Sequence, residues 1–157
     1  MVAHPPFATR RAVAADVATL RAIAVEAYEG YLPRMRGQRP GPMDADYEDL
    51  VASAETWVVT DGTDDIKGFV VLLPSPDDFV LDNIAVRPEN QGQGYGRHLL
   101  ALAEARANAV GAKAIRLYTH ETMVENQRLY GRIGYVETSR RDDRGFGRVF
   151  FEKTLTS

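Results

Sequence analysis

Cysteine is absent from this sequence of 157 residues. Its absence excludes a disulfide framework, a thiolate zinc site, an iron–sulfur cluster and a cysteine nucleophile. A chain without cysteine suits a reducing compartment, and we expect a cytoplasmic protein. We also expect no bound metal ion.

Long apolar runs and an excess of positive charge are absent as well. No stretch approaches the roughly 18 consecutive apolar residues of a membrane-spanning helix, and the N-terminal residues lack the apolar core of a signal peptide. The 19 Lys and Arg residues are outnumbered by 22 Asp and Glu, which gives a formal net charge of -3. A dedicated nucleic-acid surface normally carries a clustered cationic excess. We therefore expect neither a membrane nor a nucleic acid as a partner.

What is present is the composition of a globular domain. Hydrophobic residues make up 45% of the chain and charged residues 26%, values that are ordinary for a folded protein. A chain of this length folds as one domain and buries a core without covalent staples. We expect a single domain over residues 1–157, without internal repeats or linkers.

The apolar residues alternate between helix and strand spacing along the chain. The first strand is predicted over residues 7–13, before an amphipathic helix that Asp16 caps and Pro33 ends. Asp44 or Asp46 would cap a second, short helix. The remaining predictions are strands over 56–61, 66–73, 79–86, 114–119, 135–140 and 148–155, a long helix before Gly111 and a helix over 126–133. Interleaved helices and strands predict a mixed α/β domain with some parallel pairing.

The most informative segment is residues 86–97, VRPENQGQGYGR, which joins an apolar strand to the long helix. Its glycines, Gly92, Gly94 and Gly96, leave backbone N–H groups uncovered by side chains at a helix N-terminus. These donors lack partners within the helix, and the helix dipole favours an anion there. Arg97 can add a charge-assisted contact. The segment therefore predicts a diphosphate site.

Two nucleotide-binding motifs fail on spacing. The dinucleotide fingerprint G-x-G-x-x-G, counted from Gly92, puts Arg97 where the third glycine belongs. A P-loop needs Lys followed by Ser or Thr after its last glycine, and neither follows Gly96. A glycine-rich turn without a ligand stays open as the other interpretation.

At this point the chain resembles the GCN5-related N-acetyltransferases, the GNAT family. Residues 91–96, QGQGYG, are similar to that family's Q/R-x-x-G-x-G/A pyrophosphate loop, and residues 81–86, LDNIAV, to its central strand. Residues 126–135, NQRLYGRIGY, resemble its N-x-x-L-Y-x-x-x-G-F/Y segment. The resemblance covers nearly the whole chain. It implies a mixed, mostly antiparallel, twisted sheet of about seven strands flanked by about four helices, with two splayed parallel central strands.

The resemblance also implies acetyl-CoA as cosubstrate, bound between strands 79–86 and 114–119. The pantetheine amides would pair with the backbone of this first strand as an extra β-strand would, at Ile84, Ala85 and Val86. Asn126 would reach the pantetheine arm, although many members carry Asn seven residues before the motif tyrosine, where this chain has Met123. The residues that would hold the pyrophosphate are Gln91, Gly92, Gln93, Gly94, Tyr95, Gly96 and Arg97.

The implied reaction is direct attack of a substrate amine on the thioester in a ternary complex, since no cysteine is present to carry the acyl group. Tyr130 is the candidate general acid, because a phenol is protonated at neutral pH and can donate to the departing thiolate. Its other interpretation is a packed aromatic residue on a helix. For the general base the sequence offers Asp82 and His120, with Glu26 as a third candidate, and each also fits an ordinary solvated position.

The acceptor is expected to bind across the loop 28–43, whose aromatic and guanidinium groups belong to Tyr28, Tyr31, Arg34, Arg36 and Arg39. Guanidinium groups favour an acceptor that carries a carboxylate or phosphate, and a solvated basic loop is the alternative. The predicted function is transfer of an acetyl group to a primary amine of a small molecule or peptide. A non-catalytic acyl-CoA or CoA sensor on the same fold is the alternative. Pairing of the final strand, residues 148–155, in a homodimer is open by analogy.

Overall fold

The computed structural model describes residues 7–143 and 145–155. Within these residues, seven strands form one sheet in the order β1-β2-β3-β4-β5-β7-β6. Neighbouring strands are antiparallel except β4 and β5, which are parallel. The strands are β1 (Ala8–Arg11), β2 (Glu55–Thr60), β3 (Ile66–Leu73), β4 (Phe79–Val86), β5 (Ala114–His120), β6 (Val136–Asp143) and β7 (Phe146–Thr154).

The α-helices cover both faces of this sheet. They are α1 (Val17–Tyr28), α2 (Tyr47–Ser53), α3 (Tyr95–Ala109) and α4 (Val124–Ile133). Side chains alternate across a strand, so that Phe69 of β3 packs in the core cluster of α1 and α2, while Val70 packs in that of α3 and α4. Because helices cover both faces, β3 is continuously apolar from Phe69 to Leu73. The predicted mixed sheet with flanking helices and a parallel central pair is confirmed.

The two parallel strands separate soon after they begin. They pair only at Phe79 and Val80 of β4. On the other edge of β4, the pairing with β3 continues, but Asp82 is left over between the paired residues Leu81 and Asn83. One extra residue in a strand is a β-bulge, which bends the strand and increases its twist. The bulge therefore directs β4 away from β5 and opens the expected gap between them.

The structure also corrects the expected entry into the first helix. The prediction that Asp16 caps this helix is wrong, since its side chain makes no cap hydrogen bond to α1. The carboxylate instead accepts the Val13 N–H at 2.8 Å and a guanidinium N–H of Arg10 at 2.7 Å. Asp46 does cap α2, where it accepts the Asp49 N–H at 3.1 Å. Both carboxylates satisfy free backbone donors, but Asp16 serves the turn before its helix.

The segment after α1 is a broken helix, with helical turns over Glu29–Met35 and Gly41–Met43. The α-helix ends at Tyr28, and a 3-10 helix continues over Glu29–Met35 with Pro33 inside it. The prediction that Pro33 ends the helix is therefore wrong, since the change in helix type comes first. Among the described residues, no helix combines the length and the apolar character needed to cross a membrane.

Candidate active site

The glycine loop between β4 and α3 requires two left-handed residues. Gly92 has φ +81° and Gly94, the N-cap of α3, has φ +96°. Only glycine adopts such angles without steric cost. A Cβ at Gly94 would also lie 3.1 Å from Cζ of Phe7, whereas nothing lies within 4 Å of the corresponding point at Gly92. The loop is thus tight on one side and open above Gly92.

Backbone donors converge on this open side. The first hydrogen bond of α3 runs from the His98 N–H to the Gly94 carbonyl at 3.0 Å, so the preceding N–H groups of the first turn have no helical acceptor. Within the described part of the chain, no acceptor is found for the N–H groups of residues 92–97. Free donors and the positive end of a helix dipole favour an anion. The loop has the chemistry to hold a pyrophosphate.

The backbone of β4 presents alternate residues to the gap. The Arg87 N–H donates to the Lys67 carbonyl of the β3 side at 2.9 Å. Hydrogen-bonding groups alternate along a strand of an antiparallel ladder. The backbone N–H and C=O of Ala85 therefore point toward β3, and those of Ile84 and Val86 point away from it. The Ile84 carbonyl accepts the hydroxyl of Tyr28 at 3.0 Å. Of the three residues expected to pair with pantetheine, Ile84 and Val86 face the gap, while Ala85 pairs with β3.

Two cavities lie along this gap. A cleft of about 720 Å³ runs beside the glycine loop, the end of β4 and one face of α4. An inner pocket of about 60 Å³ lies between the separated parts of β4 and β5. The two cavities share lining residues that mark where they meet: Tyr28, Ile84, Asn126 and Tyr130. A ligand in the cleft and a ligand in the pocket would therefore come together at Tyr130.

Tyr130 packs against two aromatic rings at this junction. Its ring lies 5.9 Å from that of Tyr135 and 5.8 Å from that of Phe151. Burial raises the pKa of Tyr130 well above the ordinary value, so the phenol keeps its proton at neutral pH. Among the described residues, no partner hydrogen-bonds its hydroxyl. The group is thus protonated and available to donate at the point where the cavities meet.

Asn126 also lies at the junction, one turn of α4 before Tyr130. Its Nδ2 is 3.7 Å from the sulfur of Met123, which is buried at the helix N-cap. Thr119 of β5 donates its hydroxyl to the same sulfur at 3.5 Å. Met123 thus fills the space beneath Asn126, and the amide of Asn126 lines both cavities.

The two candidate bases differ in their surroundings. Asp82, the extra residue of the bulge, lines the inner pocket, and within the described residues its carboxylate has no hydrogen bond or ion pair. Burial raises the pKa of Asp82, and the charge of Arg148 partly offsets the rise. Burial lowers the pKa of His120. Nδ1 of His120 accepts the Thr122 N–H at 3.2 Å, so in the neutral ring the proton lies on Nε2. Both candidates line the inner pocket, and Asp82 is the one whose side chain has no hydrogen-bond partner among the described residues.

The comparison with known families agrees with this geometry. A sequence profile described as the acetyltransferase (GNAT) domain matches residues 52–137. The chain belongs to the GNAT acetyltransferase family. No curated protein matches this GNAT sequence.

Solved GNAT structures share the fold over nearly the whole chain. A GCN5-related N-acetyltransferase from Rhodopseudomonas palustris is 22% identical, with a TM-score of 0.80 and 99% of each chain covered. The PaiA N-acetyltransferase from Thermoplasma acidophilum, solved with coenzyme A, is 19% identical (TM-score 0.77), with 95% of this chain and 99% of that chain covered. A GNAT acetyltransferase from Elizabethkingia anophelis with acetyl-CoA bound is 18% identical (TM-score 0.69), with 95% and 98% covered. These likenesses show the fold.

In this GNAT protein Arg34, in the helical segment after α1, is already engaged. Arg34 donates to the Glu125 carboxylate at 3.0 Å and to the Thr122 carbonyl at 3.2 Å, and its guanidinium lies 5.1 Å from the ring centre of Tyr31. Arg34 and Tyr31 line the cleft, not the inner pocket. The predicted cationic acceptor surface is therefore largely neutralised.

Arg36 and Arg39, which follow this segment, lie away from the cavities. Arg39 pairs with Asp44 at 3.0 Å. Arg36 is exposed, has φ +52° and lines neither cavity. Of the predicted acceptor residues, Tyr28 is the one that lines the inner pocket.

Sequence reasoning missed the contribution of β7 to the inner pocket. Arg148 and Phe146 line it, together with Tyr118 of the neighbouring strand β5. Arg148 is the cross-strand partner of His120, one of the two candidate bases. The sequence does predict a final strand here, but it carries no signal that the strand inserts between β5 and β6. Among the described residues, no cluster of three or more His, Asp or Glu side chains could hold a metal ion.

Proposed function

We propose that this GNAT protein transfers the acetyl group of acetyl-CoA to a primary amine of a small molecule or peptide. The observation that carries the proposal is the junction at Tyr130, where a cleft suited to the donor meets a pocket suited to an acceptor. Relatives of the same fold have been solved with coenzyme A and with acetyl-CoA, which supports the choice of donor.

The donor would be held by the glycine loop, by the edge of β4 that faces the gap and by α4. The N–H groups of the glycine loop, residues 91–97, would bind the pyrophosphate, with Arg97 adding a positive charge. Ile84 and Val86 would pair with the pantetheine arm, and Asn126 would contact it from α4. Acetyl-CoA, when bound, supplies the activated thioester.

The side chains at the junction would manage the protons. Asp82 would bind the ammonium group of the acceptor and accept its proton, a role that a raised pKa favours. Tyr130 would hold its proton until the sulfur departs and then donate it. Since the chain has no cysteine, the amine would attack the thioester directly in a ternary complex.

Thermal unfolding with acetyl-CoA, CoA and NAD side by side tests donor binding. A ligand at about one hundred times its Kd adds about 2.7 kcal/mol to the free energy of unfolding, which raises Tm by roughly 5–10 °C in a chain of this size. We expect this rise with acetyl-CoA and CoA, and none with NAD. An unchanged Tm with acetyl-CoA would contradict the proposed donor.

A further inference from the structure

Opposite charges face the inner pocket from two different strands. Asp82 reaches it from the bulge in β4, and Arg148 reaches it from β7, on the far side of β5. Among the described lining residues, these are the only Asp, Glu, Lys or Arg side chains. Burial raises the pKa of Asp82 and lowers that of His120, and the positive charge of Arg148 lowers both pKa values. A pocket with one carboxylate and one guanidinium suits a ligand that carries both signs of charge.

Arg148 is fixed in place but retains free donors. One guanidinium nitrogen donates to Asp143 at 2.6 Å, and the side chain is 18% exposed. The guanidinium lies 4.3 Å from the ring centre of Tyr118 and 5.5 Å from that of Phe146. An arginine has five N–H donors, and within the described residues only this one bond uses them. The remaining donors can bind a carboxylate, for which a guanidinium is the preferred partner.

Asp82 has the complementary need. Its carboxylate is half-buried and has no partner among the described residues. An unpaired, partly buried carboxylate costs free energy that an ammonium group would offset. The bulge places it on the same pocket as Tyr130, where the attacking amine must lie.

The remaining walls limit the size of the ligand. Met35, Pro40 and Pro42 also line the pocket and contribute no charge. A volume of 60 Å³ corresponds to about four to six water-sized positions. The part of the ligand that enters must therefore be small, with its two charged groups close together.

We propose, resting on the proposed function, that the acceptor is a small zwitterion, an α- or β-amino acid, whose ammonium group binds at Asp82 and whose carboxylate binds at Arg148. The inference selects the small-molecule acceptor over the peptide. It also moves recognition of the acceptor's negative charge from the arginines after α1 to Arg148.

The test is a binding titration of the protein saturated with CoA, which needs no turnover. The probes are glycine, β-alanine, alanine, methionine and phenylalanine, each beside its amide and its decarboxylated amine. We expect the best amino acid to bind about 10- to 100-fold more tightly than its two counterparts, because they lack the charged hydrogen bonds to Arg148.

Variants assign this preference to a residue. Arg148→Gln should abolish the preference, and Arg148→Lys should reduce it, since lysine keeps the charge but loses the fork. Arg141→Gln is the matched control. Arg141 lies on β6 as the cross-strand partner of Arg148, its guanidinium is 3.9 Å from the ring centre of Phe150, and it does not line the pocket. It should keep the full preference.

Each outcome decides the inference. Equal binding of the amino acid, its amide and its amine would overturn it, and so would failure of every amino acid to bind. A preference that survives both Arg148→Gln and Arg148→Lys would overturn it too. If CoA does not bind, the proposed function fails, and the same titrations on the free protein still decide the preference for zwitterions.

Discussion

At the scale of single residues, two neighbouring tyrosines allow a test of whether Tyr130 acts in the site or only packs. Tyr130 and Tyr135 are both buried, and burial raises the pKa of each. Only Tyr130 lines the cavities. The hydroxyl of Tyr135 is buried without a hydrogen-bond partner among the described residues. The same substitution at the two positions should therefore have different effects.

Tyr130→Phe should lower kcat by roughly 10²- to 10⁴-fold, the range of a lost general acid, and leave the affinity for acetyl-CoA unchanged. Tyr135→Phe should keep kcat and raise the free energy of unfolding by about 1 kcal/mol, because it removes a buried hydroxyl without a partner. Steady-state kinetics and urea unfolding measure these effects. Full kcat in Tyr130→Phe would show that this tyrosine only packs.

We expect the Asp82 carboxylate to lower the free energy of unfolding at neutral pH and to be needed for full kcat. A carboxyl whose pKa is raised in the folded state gives stability that is complete below the ordinary value of 3.8 and is lost as pH rises through the folded pKa. Asp82→Asn should therefore be more stable than the wild type at pH 7, with this difference disappearing below about pH 4. Its kcat should fall by about 10²-fold.

Urea unfolding across this pH range measures the difference. Asp77→Asn is the control, because Asp77 is exposed in the turn before β4 and should alter neither stability nor kcat. An Asp82→Asn variant that is less stable than the wild type at pH 7 would show that the carboxylate has a partner in the protein.

At the scale of elements, the glycine loop can be separated from an ordinary left-handed turn. Gly92 and Gly111 have φ of +81° and +79°, and nothing lies within 4 Å of a Cβ at either position. Each substitution by Ala should thus cost about 1–2 kcal/mol of stability. Gly92→Ala should also weaken acetyl-CoA binding by about tenfold or more, because its Cβ would cover the backbone donors. Calorimetric titration of both variants measures this, and equal affinity would remove the loop from the donor site.

The sequence predicts elements well where the signal is local. Hydrophobic spacing, the cap at Asp46 and the positive-φ glycines act over a few residues, so strands, helices and the glycine loop could be placed without the structure. The entry into α1 could not, because Asp16 had two sets of backbone donors within reach. The Asp16 carboxylate turns toward Val13 and Arg10, and Arg10 donates to it from the preceding strand, β1.

The inner pocket and the contacts of Arg34 could be predicted only in part, because they depend on residues that are far apart in the sequence. The pairing of Arg34 with Glu125 joins residues that are 91 positions apart, and no local pattern indicates it. Arg148 enters the pocket because β7 inserts next to β5. These features follow from the order of strands in the sheet.

At the scale of the whole molecule, one extra residue creates the site. The bulge at Asp82 ends the pairing of β4 with β5, and the gap that follows is continuous with the cleft beside the glycine loop. The cleft, the inner pocket and Asp82 therefore all lie where the two parallel strands separate. Tyr130 closes the arrangement from α4.

The most direct measurement follows CoA release and acetylated amine together when acetyl-CoA is mixed with amino acids, simple amines and short peptides. We predict that CoA and an acetylated acceptor appear in equal amounts, and that Tyr130→Phe suppresses both. If the protein binds acetyl-CoA but releases CoA no faster with any amine than without one, acetyl transfer is contradicted. The fold would then serve as a sensor of acyl-CoA.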